Sequence, residues 1–205
     1  WRACLHFEIN GGSLSFSLCL FSGRRGNLRS KRNHIMLRST QSASRTPLYQ
    51  LKITLRYSAP PIWRRVVVPA NMPLSLFHEV TQIAMGWTNS HLHQFVAGRV
   101  FYGPSEPEFD DLGTKFLDEA KYSVSDLAPC LKSKFTYEYD FGDSWEHVIL
   151  LEKVLPPDAT FEHPVCLAGA NACPVEDCGG IYGYYNLLRA LKNPKHEQHD
   201  EMSEW

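Results

Sequence analysis

The chain has 205 residues, with 21 basic and 22 acidic groups, 43% hydrophobic and 12% aromatic residues. That is the composition of a globular protein of one domain, not of a disordered or fibrous chain. No run of about 18 apolar residues occurs, which excludes a transmembrane helix and makes the cytoplasm the expected compartment. The net charge of −1 hides a division: residues 1–46 hold eight basic groups and one acid, Glu8, for +7, and residues 47–205 carry −8.

The leading segment reads as an appendage. Its short apolar stretch, Ser13 to Phe21, comes before Arg24-Arg25, whereas a secretory signal places its charge ahead of the apolar core. Leu37 to Pro47 is rich in Ser, Thr and Arg and has no hydrophobic period, the pattern of a flexible arm. Met36 is the first methionine, and the expectation is that the native chain starts there, with 1–35 translated upstream sequence. The alternative is a basic arm for an acidic partner. Residues 1–46 are thus expected to be disordered or non-native, and 47–205 to form the domain.

From Tyr49 the periodicity is clear. Tyr49, Leu51, Ile53, Leu55 and Tyr57 alternate with polar residues, which is a half-buried strand. Ser58 to Pro61 breaks it, and Ile62 to Val68 is a second strand. Ser75 suits a helix N-cap, and Leu76, Val80, Ile83 and Trp87 form one helical stripe, with Gly86 weakening the last turn. His91 to Val96 and Val100 to Tyr102 read as short strands, and Gly103 to Asp111 as a Pro- and acid-rich loop. Phe135 to Phe141 alternates again, Gly142-Asp143-Ser144 turns the chain, and Trp145 to Leu155 returns as a hairpin. A Cys/Gly/Pro-rich loop leads to a helix marked by Tyr184, Leu188 and Leu191, which stops before Pro194; a last helix is expected from Glu197. Without regular βαβ alternation this is an α+β fold with a mainly antiparallel mixed sheet and packed helices. The order strand, strand, helix, strand matches a β-grasp core by analogy.

Three blocks carry a resemblance. They are Ser90-His91-Leu92-His93-Gln94-Phe95, then Tyr137-Glu138-Tyr139-Asp140-Phe141-Gly142-Asp143-Ser144-Trp145-Glu146-His147, then Cys173-Pro174-Val175-Glu176-Asp177-Cys178-Gly179-Gly180 with Gly183-Tyr184. Together with Ile62-Trp63-Arg64-Arg65 they resemble the plasmid pRiA4b ORF-3-like family, whose members are often labelled TnpR or transposon passenger proteins. The resemblance runs from about Tyr49 to Trp205. Val175 stands where the family usually has proline, and the family usually continues past the last Trp, so the C-terminus is expected to be truncated. The resemblance implies an uncharacterised accessory protein of mobile elements and no particular reaction.

The residues themselves restrict the chemistry. A resolvase needs a serine backed by arginines that neutralise the scissile phosphate, yet 47–205 offers only Arg56, Arg64, Arg65, Arg99 and Arg189, scattered along the chain. A body at −8 also opposes phosphate binding, which supplies most nucleic-acid affinity; nucleic acid is therefore not the expected partner. Asp140-Phe141-Gly142 spells the magnesium triplet of kinases, but no glycine-rich loop or His-Arg-Asp segment accompanies it, and the hairpin makes it a turn. Cys166, Cys173 and Cys178 are spaced by seven and five residues, unlike a common zinc knuckle, though His147 or His163 would complete a zinc set. His91 and His93, two apart, share a strand face and are placed to bind one metal. His147 shares its face with Trp145 and points inward, with a backbone carbonyl or Asp143 as its expected partner. Glu176 and Asp177 precede a helix, where carboxylates offset the dipole; Gly179 and Gly180 permit positive φ.

Two functions follow. The first is a non-catalytic interaction module, whose acidic face meets a basic protein such as a transposase and whose exposed aromatics hold a ligand; its candidate ligand residues are His91, His93, Asp143, Trp145, His147, Glu176 and Asp177. The second is a metal-dependent hydrolase built on the histidines with Asp143 or Asp177 and a divalent ion such as zinc. Convergence of histidines and carboxylates selects the second, and their separate burial selects the first.

Overall fold

A computed structural model describes residues 6–10, 13–17, 46–104 and 115–203. Strands β1 (His6–Asn10) and β2 (Ser13–Ser17) pair antiparallel in a sheet of their own. The arm expected over 37–47 lies outside the described residues except for Thr46 and Pro47, and most of the acid-rich loop after Gly103 lies outside them too.

The domain is one eight-stranded sheet. It contains β3 (Leu48–Leu55), β4 (Trp63–Pro69), β5 (His93–Ala97), β6 (Val100–Gly103), β7 (Lys115–Asp118), β8 (Lys134–Tyr139), β9 (Trp145–Leu155) and β10 (Val165–Ala170). Their spatial order is β10-β4-β3-β9-β8-β5-β6-β7. Every pair is antiparallel except β6 with β7, so the sheet is mixed and mainly antiparallel, as expected. The opening strands β3 and β4 are neighbours, and the later strands β9 and β8 lie between them and β5, the strand after the first helix.

Alternation in β3 and β8/β9 decides which face is covered. Leu51, Ile53, Phe135, Tyr137, Tyr139, Ile149 and Leu151 are fully or almost fully buried, and they join one core with residues of helices α1 (Leu74–Met85), α2 (Val124–Leu127) and α3 (Gly180–Lys192). A short α4 (His199–Ser203) follows α3.

The first helix departs from the expected phase. It begins at Leu74 with Pro73 at its N-cap rather than Ser75, and no side chain caps it. Leu76 is exposed, and the buried face runs through Leu74, Phe77, His78, Thr81, Gln82 and Met85. Three of these are polar, so a stripe drawn through apolar residues alone misplaces the face. Gly86 ends the helix in the left-handed conformation, φ 90°, and its N–H donates to Gln82 O. The chain turns there and drives Trp87 into the core.

Two elements fall where irregular chain is expected. Strand β10 forms within the Cys/Gly/Pro-rich stretch, with Leu167 as the extra residue of a bulge against β4. Gly169 is needed there, since a Cβ would lie 2.7 Å from Arg64 Cδ. Strand β7 pairs with the edge of β6.

Candidate metal-binding site

Three loops meet at one end of the covered face: 87–92 after α1, the β8–β9 turn at 140–144, and 173–179 before α3. Each places an Asn or Asp in the left-handed region: Asn89 at φ 59°, Asp140 at 57° and Asp177 at 59°. Asn and Asp tolerate this conformation better than other non-glycine residues.

Side-chain bonds hold the loops together. Trp87 Nε1 donates to Pro174 O (2.9 Å). Glu176 Oε2 accepts from the Thr88 N–H (3.1 Å) and hydroxyl (2.6 Å), while its Oε1 accepts from the Tyr139 hydroxyl. The Tyr139 oxygen in turn accepts from the Ser90 N–H at 2.9 Å. Burial pushes the Glu176 carboxyl up, but the bonds from Thr88 and Tyr139 outweigh it and hold the group below its ordinary range. Burial first, then Glu176, drives the Tyr139 phenol well above its ordinary value. On the far side, Asp143 Oδ2 accepts from Gly179 N–H at 3.1 Å. A Cβ on Gly180 would come within 2.8 Å of Asp143 O, and one on Gly183 within 1.7 Å of Cys178 O. The glycines that precede and open α3 therefore permit close packing of the loop against the turn.

This scaffold brings His91, Asp140 and Asp177 together, with one ligand atom from each within 4.8 Å of the others. His91 Nε2 is 3.2 Å from Asp177 Oδ1 and 3.8 Å from Asp140 Oδ2. It is shielded from solvent yet makes no hydrogen bond. Asp140 is buried, and its Oδ1 is occupied by the N–H groups of Gly142 (3.0 Å) and Asp143 (3.3 Å). Its Oδ2 faces the imidazole. Asp177 is solvent-exposed, its side chain 70% accessible, so the cluster opens outward on that side. The same turn and helix start form two walls of a cleft of about 370 Å³ lined by Tyr57, Asp143, Trp145, Gly180 and Tyr182.

The other expected residues lie elsewhere. His93 does not share a metal with His91. Strand β5 begins at His93, and His91 stands in the preceding loop; His93 Nε2 bonds Glu119 Oε2 at 2.9 Å. His147 points inward as expected: it is fully buried, and its Nδ1 lies 3.3 Å from Tyr137 O. Burial lowers its pKa to about 4. Trp145 is buried beside Trp87, with ring centroids 6.0 Å apart. Cys166, Cys173, Cys178 and His147 are not gathered into one ligand group: among the described residues the three-ligand group is His91/Asp140/Asp177. Cys173 is engaged by Arg64 Nη2 (3.1 Å) and Met85, Cys166 and Cys178 lie against backbone carbonyls, and His147 is enclosed by Trp87 and Tyr137.

Sequence reasoning flagged His91 and Asp177 but missed Asp140, whose triplet it assigned to a turn. The turn is real, yet only one carboxylate oxygen serves it. It also missed Tyr139 and Glu119 as partners of the flagged residues.

A family model described as plasmid pRiA4b ORF-3-like protein matches residues 47–205. A curated relative, the uncharacterized protein y4hQ of Sinorhizobium fredii, is 44% identical over 157 residues, covering 76% of this chain and 79% of its own. The crystal structure of MM3350, a protein of unknown function from Methanosarcina mazei Go1, superposes with a TM-score of 0.70 at 32% identity, over 79% of this chain and 90% of the other.

Proposed function

Taking as premise that the chain belongs to the plasmid pRiA4b ORF-3-like family, a description that names no reaction, we propose that it binds a divalent cation through His91, Asp140 and Asp177 and is a metal-dependent hydrolase. The observation that supports this reading is the His91 Nε2 atom, buried and unbonded between two carboxylates. An imidazole nitrogen that makes no hydrogen bond yet faces two carboxylates is a donor set whose negative charge a divalent cation would balance.

One imidazole and two carboxylates suit zinc or manganese. Three protein ligands leave coordination positions for water, the arrangement of catalytic sites, whereas structural zinc sites are closed by four. Zinc held by these residues would lower the pKa of a bound water to about 7. Tyr139 and Glu176 position the His91 loop, and the neighbouring cleft gives an ester-type substrate a place to lie.

The test is hydrolysis of a panel of nitrophenyl esters and phosphodiesters with added zinc or manganese. Turnover that disappears with a chelator and in Asp177→Asn supports the reading. Turnover indifferent to both, or none on any member of the panel, removes it.

A further inference from the structure

The helices cover one face of the sheet, and the opposite face has a different charge from the rest of the domain. Cross-strand partners share a face. Lys52 pairs with Arg65 on one side and with Leu150 on the other, and Leu150 pairs with Lys134. These four residues form one row perpendicular to the strands on the face opposite Leu51 and Ile53. With strands about 4.8 Å apart, the row spans about 14 Å. Lys132 and Lys153 line a groove beside it with Arg65 and Leu150. Arg56 stands on the same face, paired with Glu146.

Six of the 13 basic groups in 47–205 thus lie on or beside the β4–β3–β9–β8 part of this face, against three acids, Glu138, Glu146 and Glu152. Two of those acids are bound by the arginines: Glu146 by Arg56, and Glu152 by both Nε and Nη2 of Arg65. The four lysines make no ion pair among the described residues. These four strands therefore hold +3 on their open face in a body of −8, so the net count conceals a cationic patch. Trp63 lies within it, its ring centroid 4.8 Å from Lys52 Nζ and 4.9 Å from Arg65 Cζ.

We propose that this open face binds single-stranded nucleic acid, with the Lys134–Lys52–Arg65 row tracking the phosphates and Trp63 offering an aromatic surface to a base. A cationic track beside an aromatic side chain is how sequence-tolerant single-strand binding is built. Residues 1–46 carry +7, the wrong sign to occupy the face themselves. An acidic protein is the competing partner, but cations set around an aromatic ring suit a chain of phosphates and bases together, which carboxylates alone do not use.

The test uses the full chain and a fluorescein-labelled oligothymidylate of about 20 nucleotides, followed by anisotropy across a salt series. Each lost phosphate contact lowers the slope of log K against log salt by about 0.7 for single strands. The Lys52→Ala/Lys134→Ala/Lys153→Ala variant, checked for an unchanged melting temperature, is expected to bind at least about tenfold more weakly with a slope lower by about 2. Tryptophan quenching by the oligonucleotide is expected to shrink in Trp63→Phe. Unchanged affinity in the triple variant would overturn the inference, because the basic leading segment then accounts for binding. Equal competition by poly-glutamate at matched charge overturns it in favour of an acidic protein, and absence of oligonucleotide binding by the wild type overturns it outright.

Discussion

The imidazole of His78 lies flat on that of His93, with ring centroids 3.4 Å apart and planes 5° apart. At that separation no water fits between the rings. His78 bonds the Tyr137 hydroxyl (2.8 Å) through Nδ1 and Asn89 Oδ1 (2.7 Å) through Nε2. Gln82 closes the network by donating to the same hydroxyl and accepting from Asn89 N–H. This polar layer lies between α1 and the sheet and fixes the loop from which His91 projects.

Acid sensitivity follows from this burial. Desolvation first, then the neighbouring His93, lowers the His78 pKa to about 4, and desolvation does the same to His147. The folded pKa is depressed, so between pH 6.5 and 4 the unfolded chain takes up protons that the folded one refuses. Stability is intact above about pH 6.5 and is lost as pH falls toward 4. Between pH 7 and 5 the loss is on the order of 2 kcal/mol per histidine. Denaturant unfolding at the two pH values measures it, and His147→Gln is expected to remove about half of the difference.

Glu176 is expected to act on the metal without touching it. It joins Thr88 and Tyr139 across two of the three loops. Glu176→Gln should weaken zinc affinity by roughly 10-fold to 100-fold, the usual effect of losing a group that orients ligands. The fold should persist, with an unchanged far-ultraviolet spectrum. Calorimetric titration beside circular dichroism distinguishes this from general unfolding.

Gly183→Ala should damage the same site from the other side. Its Cβ would meet Cys178 O at 1.7 Å, so the 173–179 loop must move and carry Asp177 with it. The expected cost exceeds about 2 kcal/mol, in the range of severe steric mutations, and thermal unfolding reads it.

Glu152 offers an opposite test on the open face. Arg65 holds its carboxyl at about 2, so it remains charged at neutral pH and offsets that arginine. Glu152→Gln is expected to tighten oligothymidylate binding several-fold and to steepen its salt dependence. Unchanged binding would show that the Arg65 end of the row is not used.

Strong local patterns made part of this architecture legible. Alternation in β3 and in β8/β9 identified the core strands and the face they bury, because a half-buried strand writes its environment into every second residue. Strand β10 was not legible, because at the sheet edge Val165-Cys166-Leu167-Ala168-Gly169-Ala170 needs neither alternation nor a run of β-branched residues, and Gly169 answers to Arg64 and the Trp63 carbonyl, more than 100 residues away. His91 and Asp177 stood out as chemistry-bearing residues beside loops. Asp140 did not, since one of its oxygens performs the turn that the sequence suggests. His78 carries no local signal, as its partner Tyr137 is 59 residues away. The cationic face was concealed by totalling charge over both faces; Lys52 and Arg65 become neighbours only in the sheet register.

Titration of the full chain with zinc and with manganese by isothermal calorimetry, alongside His91→Ala and Asp140→Asn, tests the metal site most directly. One ion per chain is predicted for the wild type, with affinity falling at least about 100-fold in each variant. Absence of binding, or binding that His91→Ala leaves unchanged, would contradict it.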